Sequence, residues 1–207
     1  FRKIHYWWKG LVKRNGKNCV LLLDDGSYFL GVGSGYFGDF LGEICFNTSI
    51  TGYQEILTDP SYFNQIINFT FPHIGVVGAN FDDYESDKIY ASGCIINNPV
   101  SAASNFRSKM DFEKWLKLNK KVCVSNIDTR ALTKRIRNLG ACKALIHFPE
   151  NAFFENMTNL KTKLIKFPSM KNLDLASKIS TNYIYKWFNQ KKLRSFKIHK
   201  NFIAVID

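Results

Sequence analysis

Short apolar runs, each ended by a turn signal, recur along the chain from about residue 18. The first two runs, residues 20–23 and 27–32, are joined by Asp24-Asp25-Gly26. An Asp-Gly step tolerates the positive φ angles of a tight hairpin turn, so this segment predicts two antiparallel strands. Later runs predict further strands at residues 65–71, 91–100 and 122–124. The chain is therefore expected to be rich in strands.

Two segments have helical periodicity instead. Residues 108–119 carry apolar side chains that can share one helix face: Met110, Phe112, Trp115, Leu116 and Leu118. Residues 128–139 give the clearest helix, because Asp128 is a natural N-cap and Gly140 a natural end. Its apolar residues Leu132, Ile136 and Leu139 are spaced i, i+4, i+7. Strands combined with two or three helices predict an α/β or α+β domain.

Residues 33–38 match the G-x-G-x-x-G pattern of dinucleotide-binding proteins. In that site the glycines lead from a strand into a helix, whose N-terminus meets the pyrophosphate. The residues that follow here, DFLGEICFN, are typical of a strand and have no amphipathic period. We therefore interpret residues 33–38 as a flexible glycine-rich loop and not as a nucleotide site.

The net charge of +12 is concentrated at the two flanks of the chain. Residues 1–17 carry six basic residues and no acid, and residues 161–200 carry eleven basic residues against Asp174 alone. Residues 18–160 carry twelve basic and fifteen acidic residues. A nucleic-acid-binding domain keeps its positive charge on the folded face that docks. This distribution favours solvated flanks, and no nucleic-acid partner is expected.

The five cysteines do not predict a disulfide framework or a zinc site. Their number is odd, no two have a C-x-x-C spacing, and most lie inside apolar runs: Cys19, Cys45, Cys94, Cys123 and Cys142. Buried thiols in a reducing compartment fit this pattern, so a cytoplasmic location is expected. No apolar run approaches the length that spans a bilayer, so no membrane partner is expected.

The stretch FNTSITGYQEILTDPSY, residues 46–62, has no Lys or Arg and is rich in hydroxyl side chains. A Ser–His–Asp hydrolase could be assembled from Ser61, His73 and Asp59, but no G-x-S-x-G turn frames the serine. None of the cysteines has a glycine-rich strand-to-helix turn beside it either. The residues alone therefore define no catalytic site.

Five segments occur in the order and spacing of one known family: FNTSITGYQEILTDPSY, FPHIGVVGAN, SNFR, IDTRALTKRIRNLG and NLDLASKIST. From about residue 18 to about residue 187, the chain resembles the N-terminal domain of the small subunit of glutamine-dependent carbamoyl-phosphate synthase. The resemblance implies an α/β fold of the layered β/β/α swivelling type. It implies four segments: a basic extension at 1–17, this domain at 18–188, a basic linker at 189–200 and, at 201–207, the first strand of a truncated class I glutamine amidotransferase domain.

The resemblance also implies the activity and the partners. In the family, a cysteine activated by His and Glu in the amidotransferase domain hydrolyses glutamine, and none of the cysteines here replaces it. The ammonia passes through a tunnel to the large subunit, which joins it to bicarbonate with ATP and Mg²⁺ for arginine or pyrimidine synthesis. The expected partners are glutamine and the large subunit, and this chain is expected to bind no cofactor or metal itself.

Ser61 is the one residue of this domain that the resemblance places in the glutamine site. Pro60 fixes φ ahead of Ser61, and Asp59 can close a side-chain turn on the backbone, so the hydroxyl is held in place. Hydroxyls suit a zwitterionic amino acid, whose two charged ends need hydrogen bonds. The alternative is a degenerate, non-catalytic module that only docks on the large subunit.

Overall fold

Seven strands and four α-helices make up the larger part of the structure. The computed structural model describes residues 16–151, 153–188, 191–195, 197 and 203–205. The chain divides into two compact units, Phe1–Lys171 and Asn172–Asp207. The strands of the first unit are β1 Cys19–Leu23, β2 Tyr28–Gly35, β3 Gly38–Asn47, β4 Gln65–Phe69, β5 Gly93–Ile95, β6 Val122–Ser125 and β7 Cys142–Phe148. Its helices are α1 Tyr53–Thr58, α2 Phe112–Leu118, α3 Thr129–Leu139 and α4 Met157–Lys166, with a 3-10 turn at Pro60–Tyr62.

The seven strands form one closed, mixed sheet in the order β1-β2-β6-β5-β4-β3-β7, and β7 pairs back with β1. The pairs β3–β4, β4–β5 and β5–β6 are parallel. The other pairs of this sheet are antiparallel. In the second unit, α5 Ala176–Ile179 precedes the antiparallel pair β8 Lys186–Phe188 and β9 Lys191–Leu193. Within the described residues, no helix is long and apolar enough to cross a membrane.

Buried apolar side chains hold the helices on the sheet in three clusters. The first joins Leu21 and Ile146 of the sheet to Leu132 of α3. The second places Trp115 of α2 against strands β4, β5 and β6. The third packs Leu22 and other sheet residues against Leu160 of α4. All five residues of β1 are buried, which explains its uninterrupted apolar sequence.

The strand-rich α/β class is confirmed, and so are the hairpin and the long helix. Leu22 pairs with Tyr28 across the predicted turn. The Asp128 carboxylate accepts a hydrogen bond from the Ala131 N–H at 2.9 Å, and Gly140 follows the last helical residue with φ 76°. The apolar stripe is narrower than predicted, since Leu132 is fully buried but Leu139 is 41% exposed.

The predicted flexible loop at residues 33–38 is wrong. Gly33 and Gly35 belong to β2 and pair with Val124 and Val122 of β6. A Cβ on Gly33 would lie 2.5 Å from the Phe148 ring. A Cβ on Gly35 would lie 2.4 Å from the Lys121 carbonyl oxygen. These glycines are needed for close packing and not for mobility or phosphate binding. The strand predicted after them is confirmed as β3.

Several elements depart from the predicted bounds or were not predicted. The strand predicted at 91–100 is only three residues long, and β7 and α4 were missed. The predicted boundary at residue 188 stays a prediction. Residues 1–15 of the predicted extension, half of the predicted linker 189–200 and most of the predicted strand 201–207 lie outside the described residues.

The two leucines of α3 give a matched test of this packing. Leu132→Ala should lower the free energy of unfolding by about 2–5 kcal/mol, because it leaves a cavity in the first cluster. Leu139→Ala should cost about 1 kcal/mol or less, since its side chain already contacts water. Urea unfolding followed by circular dichroism measures both values. Equal losses would contradict the helix orientation described here.

Candidate functional site

Helix α1 and the 3-10 turn make up the second half of the hydroxyl-rich stretch, residues 46–62. Gly52 starts α1 in the left-handed conformation, with φ 81° and ψ 27°. Its first residue, Tyr53, is buried and donates its hydroxyl proton to the Gly78 carbonyl oxygen at 2.5 Å. Burial raises the pKa of Tyr53 well above its usual range, so this phenol stays a donor.

A pair of amide hydrogen bonds fixes α1 to the loop that contains Asn80. The Gln54 side chain donates to the Asn80 carbonyl oxygen at 2.6 Å and accepts from the Asn80 N–H at 3.0 Å. At the other end of the helix, the buried Thr58 hydroxyl accepts from the Glu85 N–H at 2.9 Å. Thr58 is therefore a structural hydroxyl and is not available to a ligand.

Ser61 lies on the 3-10 turn, held as the sequence predicted. The Asp59 carboxylate accepts a hydrogen bond from the Ser61 N–H at 2.8 Å, and Pro60 occupies the first position of the turn. The Phe63 N–H closes the turn on the Pro60 carbonyl oxygen at 3.0 Å. Ser61 itself is exposed, and no hydrogen bond of its hydroxyl is formed with the part of the chain that the structure describes. The backbone is fixed while the hydroxyl remains available.

A side-chain hydrogen bond joins the end of β3 to this turn. The Asn47 amide donates to the Tyr62 hydroxyl at 3.0 Å, and its amide oxygen accepts from the Ser49 N–H at 2.8 Å. Three further hydroxyl residues that follow β3 are exposed: Thr48, Ser49 and Thr51. The structure thus presents most of the hydroxyls of this stretch to solvent, on segments tied to the Ser61 turn.

The hydrolase that could be assembled from Ser61, His73 and Asp59 is not formed. The Asp59 carboxylate is engaged with the Ser61 backbone, and no hydrogen bond among the described residues connects His73 to either partner. His73 is exposed and lies edge-on to the Phe71 ring, with 5.7 Å between the ring centroids.

The cysteines are buried or half-buried free thiols, as the sequence predicted. Burial raises the pKa of Cys45 and of Cys142 to about 12 in each case. It also raises the pKa of Cys19 and of Cys123 well above the usual range of a thiol. A thiol with so high a pKa carries almost no thiolate at neutral pH and is a poor nucleophile.

A polar cluster that the sequence analysis missed lies at the junction of β3, β7 and α4. Asp39 and His147 are cross-strand partners, and the Asp39 carboxylate lies 2.5 Å from the His147 Nδ1. The Glu155 N–H donates to the other ring nitrogen at 3.2 Å, so the proton of the neutral ring belongs on Nδ1. The Lys163 ammonium binds the carboxylates of both Asp39 and Glu155. No sequence signal could reveal this cluster, because its members are up to 124 residues apart.

The ligand atoms of Asp39, His147 and Glu155 all lie within 4.8 Å of one another, as a metal site would require. The Lys163 ammonium already supplies the positive charge between the two carboxylates. Hydrogen bonds engage both nitrogens of the His147 ring. We therefore assign the cluster a structural role, in which the Lys163 ammonium occupies the position that a metal ion would take between the carboxylates.

Comparison with known proteins identifies the family of this strand-rich domain. Residues 21–146 match the family "Carbamoyl-phosphate synthase small chain, CPSase domain". The carbamoyl phosphate synthase small chain of Buchnera aphidicola from Acyrthosiphon pisum is 46% identical over 186 residues, covering 88% of this chain and 47% of that protein. Those of Zymomonas mobilis and Vibrio cholerae are each 45% identical, covering 81% and 83% of this chain and 44% of their own lengths.

The strand-rich first unit thus corresponds to a known family domain. The chain belongs to the carbamoyl-phosphate synthase small chain family, and the predicted resemblance is confirmed. It spans slightly less than half the length of these curated relatives. The matched region contains α1 and the Ser61 turn. The glutamine-binding role of Ser61 stays a prediction.

The polar cluster should make stability depend on pH. Burial alone would raise the pKa of Asp39, but hydrogen bonds from His147 and Lys163 outweigh it and hold that pKa below its usual value. The stabilisation is therefore present above the unfolded-state pKa and is lost as the pH falls through the folded-state pKa. Asp39→Asn should lower the free energy of unfolding by about 1–2 kcal/mol near pH 7, a modest value because solvent screens the partly exposed carboxylate.

Urea unfolding at a series of pH values measures this effect. The difference between the wild type and Asp39→Asn should begin to shrink below about pH 4, where the carboxyl of the unfolded chain becomes protonated, and should vanish below the folded-state pKa. Asp111→Asn is the control, because Asp111 is exposed and its side chain makes no capping hydrogen bond to α2. A difference that stays constant down to pH 2 would show that the charge of Asp39 contributes nothing.

Proposed function

We propose that this chain serves as the N-terminal domain of the small subunit of a glutamine-dependent carbamoyl-phosphate synthase. In this role it packs on a glutamine amidotransferase domain and on the large subunit. The amidotransferase domain releases ammonia from glutamine. The large subunit combines that ammonia with bicarbonate and uses ATP and Mg²⁺, so this chain needs no cofactor. Family membership and the agreement with the small chains of three bacteria support the proposal.

One observation supports a contribution of this domain to glutamine binding. Ser61 is exposed, its backbone is fixed by Asp59 and Pro60, and its hydroxyl is not used by the described part of the chain. A hydroxyl held in this way can bind a charged end of an amino acid without an entropy cost for ordering the loop. We assign Ser61 to the amino-acid end of glutamine, away from the amide that is hydrolysed.

Glutamine hydrolysis itself is assigned to another domain of the complete enzyme. Hydrolysis of glutamine through a thioester requires a thiolate beside a general base. The pKa values of Cys19, Cys45, Cys123 and Cys142 are all raised by burial, which is the opposite of activation. We therefore assign the nucleophile to the amidotransferase domain. Delivery through a closed route keeps ammonia from being protonated in bulk water.

Residues 1–207 alone should consequently release no ammonia from glutamine above the uncatalysed background. A coupled ammonia assay with the purified chain measures this, and the variants Cys45→Ser and Cys94→Ser serve as controls. Ammonia release that either substitution abolishes would overturn the assignment, since it would identify a nucleophile in this domain.

The role of Ser61 is tested in the complete enzyme by Ser61→Ala. Loss of one hydrogen bond to a charged ligand group costs about 1.5–3 kcal/mol, so glutamine-dependent kcat/KM should fall roughly ten- to a hundred-fold. The change should appear mainly in KM, because Ser61 contacts a part of glutamine that does not react. Carbamoyl phosphate synthesis from added ammonia should be unchanged.

The matched control for this experiment is Ser104→Ala, which removes another exposed hydroxyl of the same domain. It should leave both the glutamine-dependent and the ammonia-dependent rates intact. If Ser61→Ala lowers the two rates together, Ser61 acts in folding or docking, and the proposed contact with glutamine is wrong.

A further inference from the structure

The segment that carries the Ser61 turn is tied together at its two ends. Strand β3 ends at Asn47, β4 begins at Gln65, and the two strands are parallel, so residues 48–64 cross over the sheet between them. The Asn47 side-chain amide donates a hydrogen bond to the Tyr62 hydroxyl at 3.0 Å. This contact joins the start of the crossover to the turn near its end.

Asn47 is held firmly on the sheet. It is the cross-strand partner of Phe69, and its carbonyl oxygen accepts hydrogen bonds from the Thr70 N–H at 3.1 Å and from the Thr70 hydroxyl at 3.3 Å. Its side-chain oxygen accepts from the Ser49 N–H at 2.8 Å. Because a backbone N–H can only donate, this bond identifies the oxygen of the amide and directs the amide nitrogen to Tyr62.

Tyr62 is part of the Ser61 turn itself. Its backbone N–H donates to the Asp59 carbonyl oxygen at 3.1 Å, and its half-buried ring packs against the second apolar cluster. Ser61 is the preceding residue of the same short 3-10 turn. A change in the position of the Tyr62 side chain therefore moves the backbone that carries the Ser61 hydroxyl.

The hydrogen bonds within the turn fix its conformation but not its position on the domain. Among the described residues, one side-chain hydrogen bond joins residues 59–63 to a residue outside that segment, and it is the bond between Asn47 and Tyr62. The chain on either side is held separately, at the Thr58 hydroxyl and at the Asn64 backbone. Loss of the Asn47–Tyr62 bond should therefore displace the turn without unfolding it.

We propose that Asn47 and Tyr62 are positioning residues for the contact between Ser61 and glutamine, and that their hydrogen bond sets the place of the Ser61 hydroxyl on the domain. Neither side chain contacts glutamine in this arrangement, and both act through Ser61. A hydrogen bond weakens when its donor and acceptor move beyond about 3.2 Å, so a small displacement of the turn is enough to weaken binding. This inference rests on the proposed function, because it explains how the same contact is held.

The test uses the complete enzyme and compares carbamoyl phosphate synthesis from glutamine with synthesis from added ammonia. Tyr62→Phe keeps the ring and removes only the hydroxyl, and Asn47→Ala removes the donor. Each should raise the KM for glutamine roughly two- to ten-fold, the effect of weakening one hydrogen bond. The glutamine-dependent kcat and the ammonia-dependent rate should be unchanged, because Ser61 contacts the part of glutamine that does not react.

The decisive measurement repeats Tyr62→Phe in an enzyme that already carries Ser61→Ala. A residue that acts only through the Ser61 hydroxyl has nothing left to position there, so the second substitution should change the KM for glutamine by less than about two-fold. Asn47→Ala and Tyr62→Phe together should have no more effect than the larger of the two alone, since both remove the same bond. Equal rises in KM with and without the Ser61 hydroxyl would overturn the positioning role.

A conservative variant and a matched control complete the test. Asn47→Asp should keep the KM near the wild-type value, because the Tyr62 hydroxyl can donate to a carboxylate that still accepts from the Ser49 N–H. Adding Tyr62→Phe to it should raise the KM. The control is Asn18→Ala, which removes another half-buried amide, one that accepts from the Gly33 N–H at 2.9 Å. It should lower stability towards urea and leave the KM for glutamine unchanged.

The possible outcomes separate this inference from the proposed function. A raised KM in Ser61→Ala, with an unchanged KM in Tyr62→Phe and Asn47→Ala, would refute the positioning pair and leave the glutamine contact of Ser61 intact. An unchanged KM in Ser61→Ala would refute that contact, and the positioning role with it. If Tyr62→Phe lowers the glutamine- and ammonia-dependent rates together, Tyr62 acts in folding or docking, and the inference is wrong.

Discussion

The reciprocal hydrogen bonds between the Gln54 side chain and the Asn80 backbone hold α1, and with it the Ser61 turn, against the loop that contains Asn80. Gln54 is buried, so an apolar replacement would leave both the N–H and the carbonyl of Asn80 without a partner. Through this contact α1 is fixed against residues 78–85, and the Ser61 turn follows directly after α1. A six-residue helix is too short to be stable by itself, so its order comes from this tertiary anchor.

The features that could be predicted from the sequence are those that local chemistry determines. The hairpin depends on an Asp-Gly step, the start of α3 on the Asp128 cap, and the Ser61 turn on Asp59 and Pro60. Each of these features depends on residues that are close together in the sequence. The exposure of Leu139 could not be predicted in this way, because it depends on where α3 leaves the sheet.

The features that were missed depend on residues far apart in the chain. The hydroxyl-rich stretch could not reveal that Thr58 is buried and bound to Glu85, whereas Ser61 and Ser49 face solvent. The charge count placed the acidic residues in the middle of the chain, but only the fold brings Asp83 and Glu85 close enough to Glu55 to raise its pKa. The cross-strand pair of Asp39 and His147 likewise exists only because β3 and β7 are neighbours. The family resemblance supplied the role of Ser61, which no local pattern contains.

The contact between Gly33 and Phe148 has an evolutionary consequence. The ring lies in the space that a Cβ on residue 33 would need, so these two positions share one fixed volume between β2 and β7. A larger residue at position 33 is acceptable only with a smaller one at position 148, and the two should therefore covary among related chains. A glycine pattern retained for this reason would imitate a nucleotide-binding signature in relatives that bind no nucleotide there.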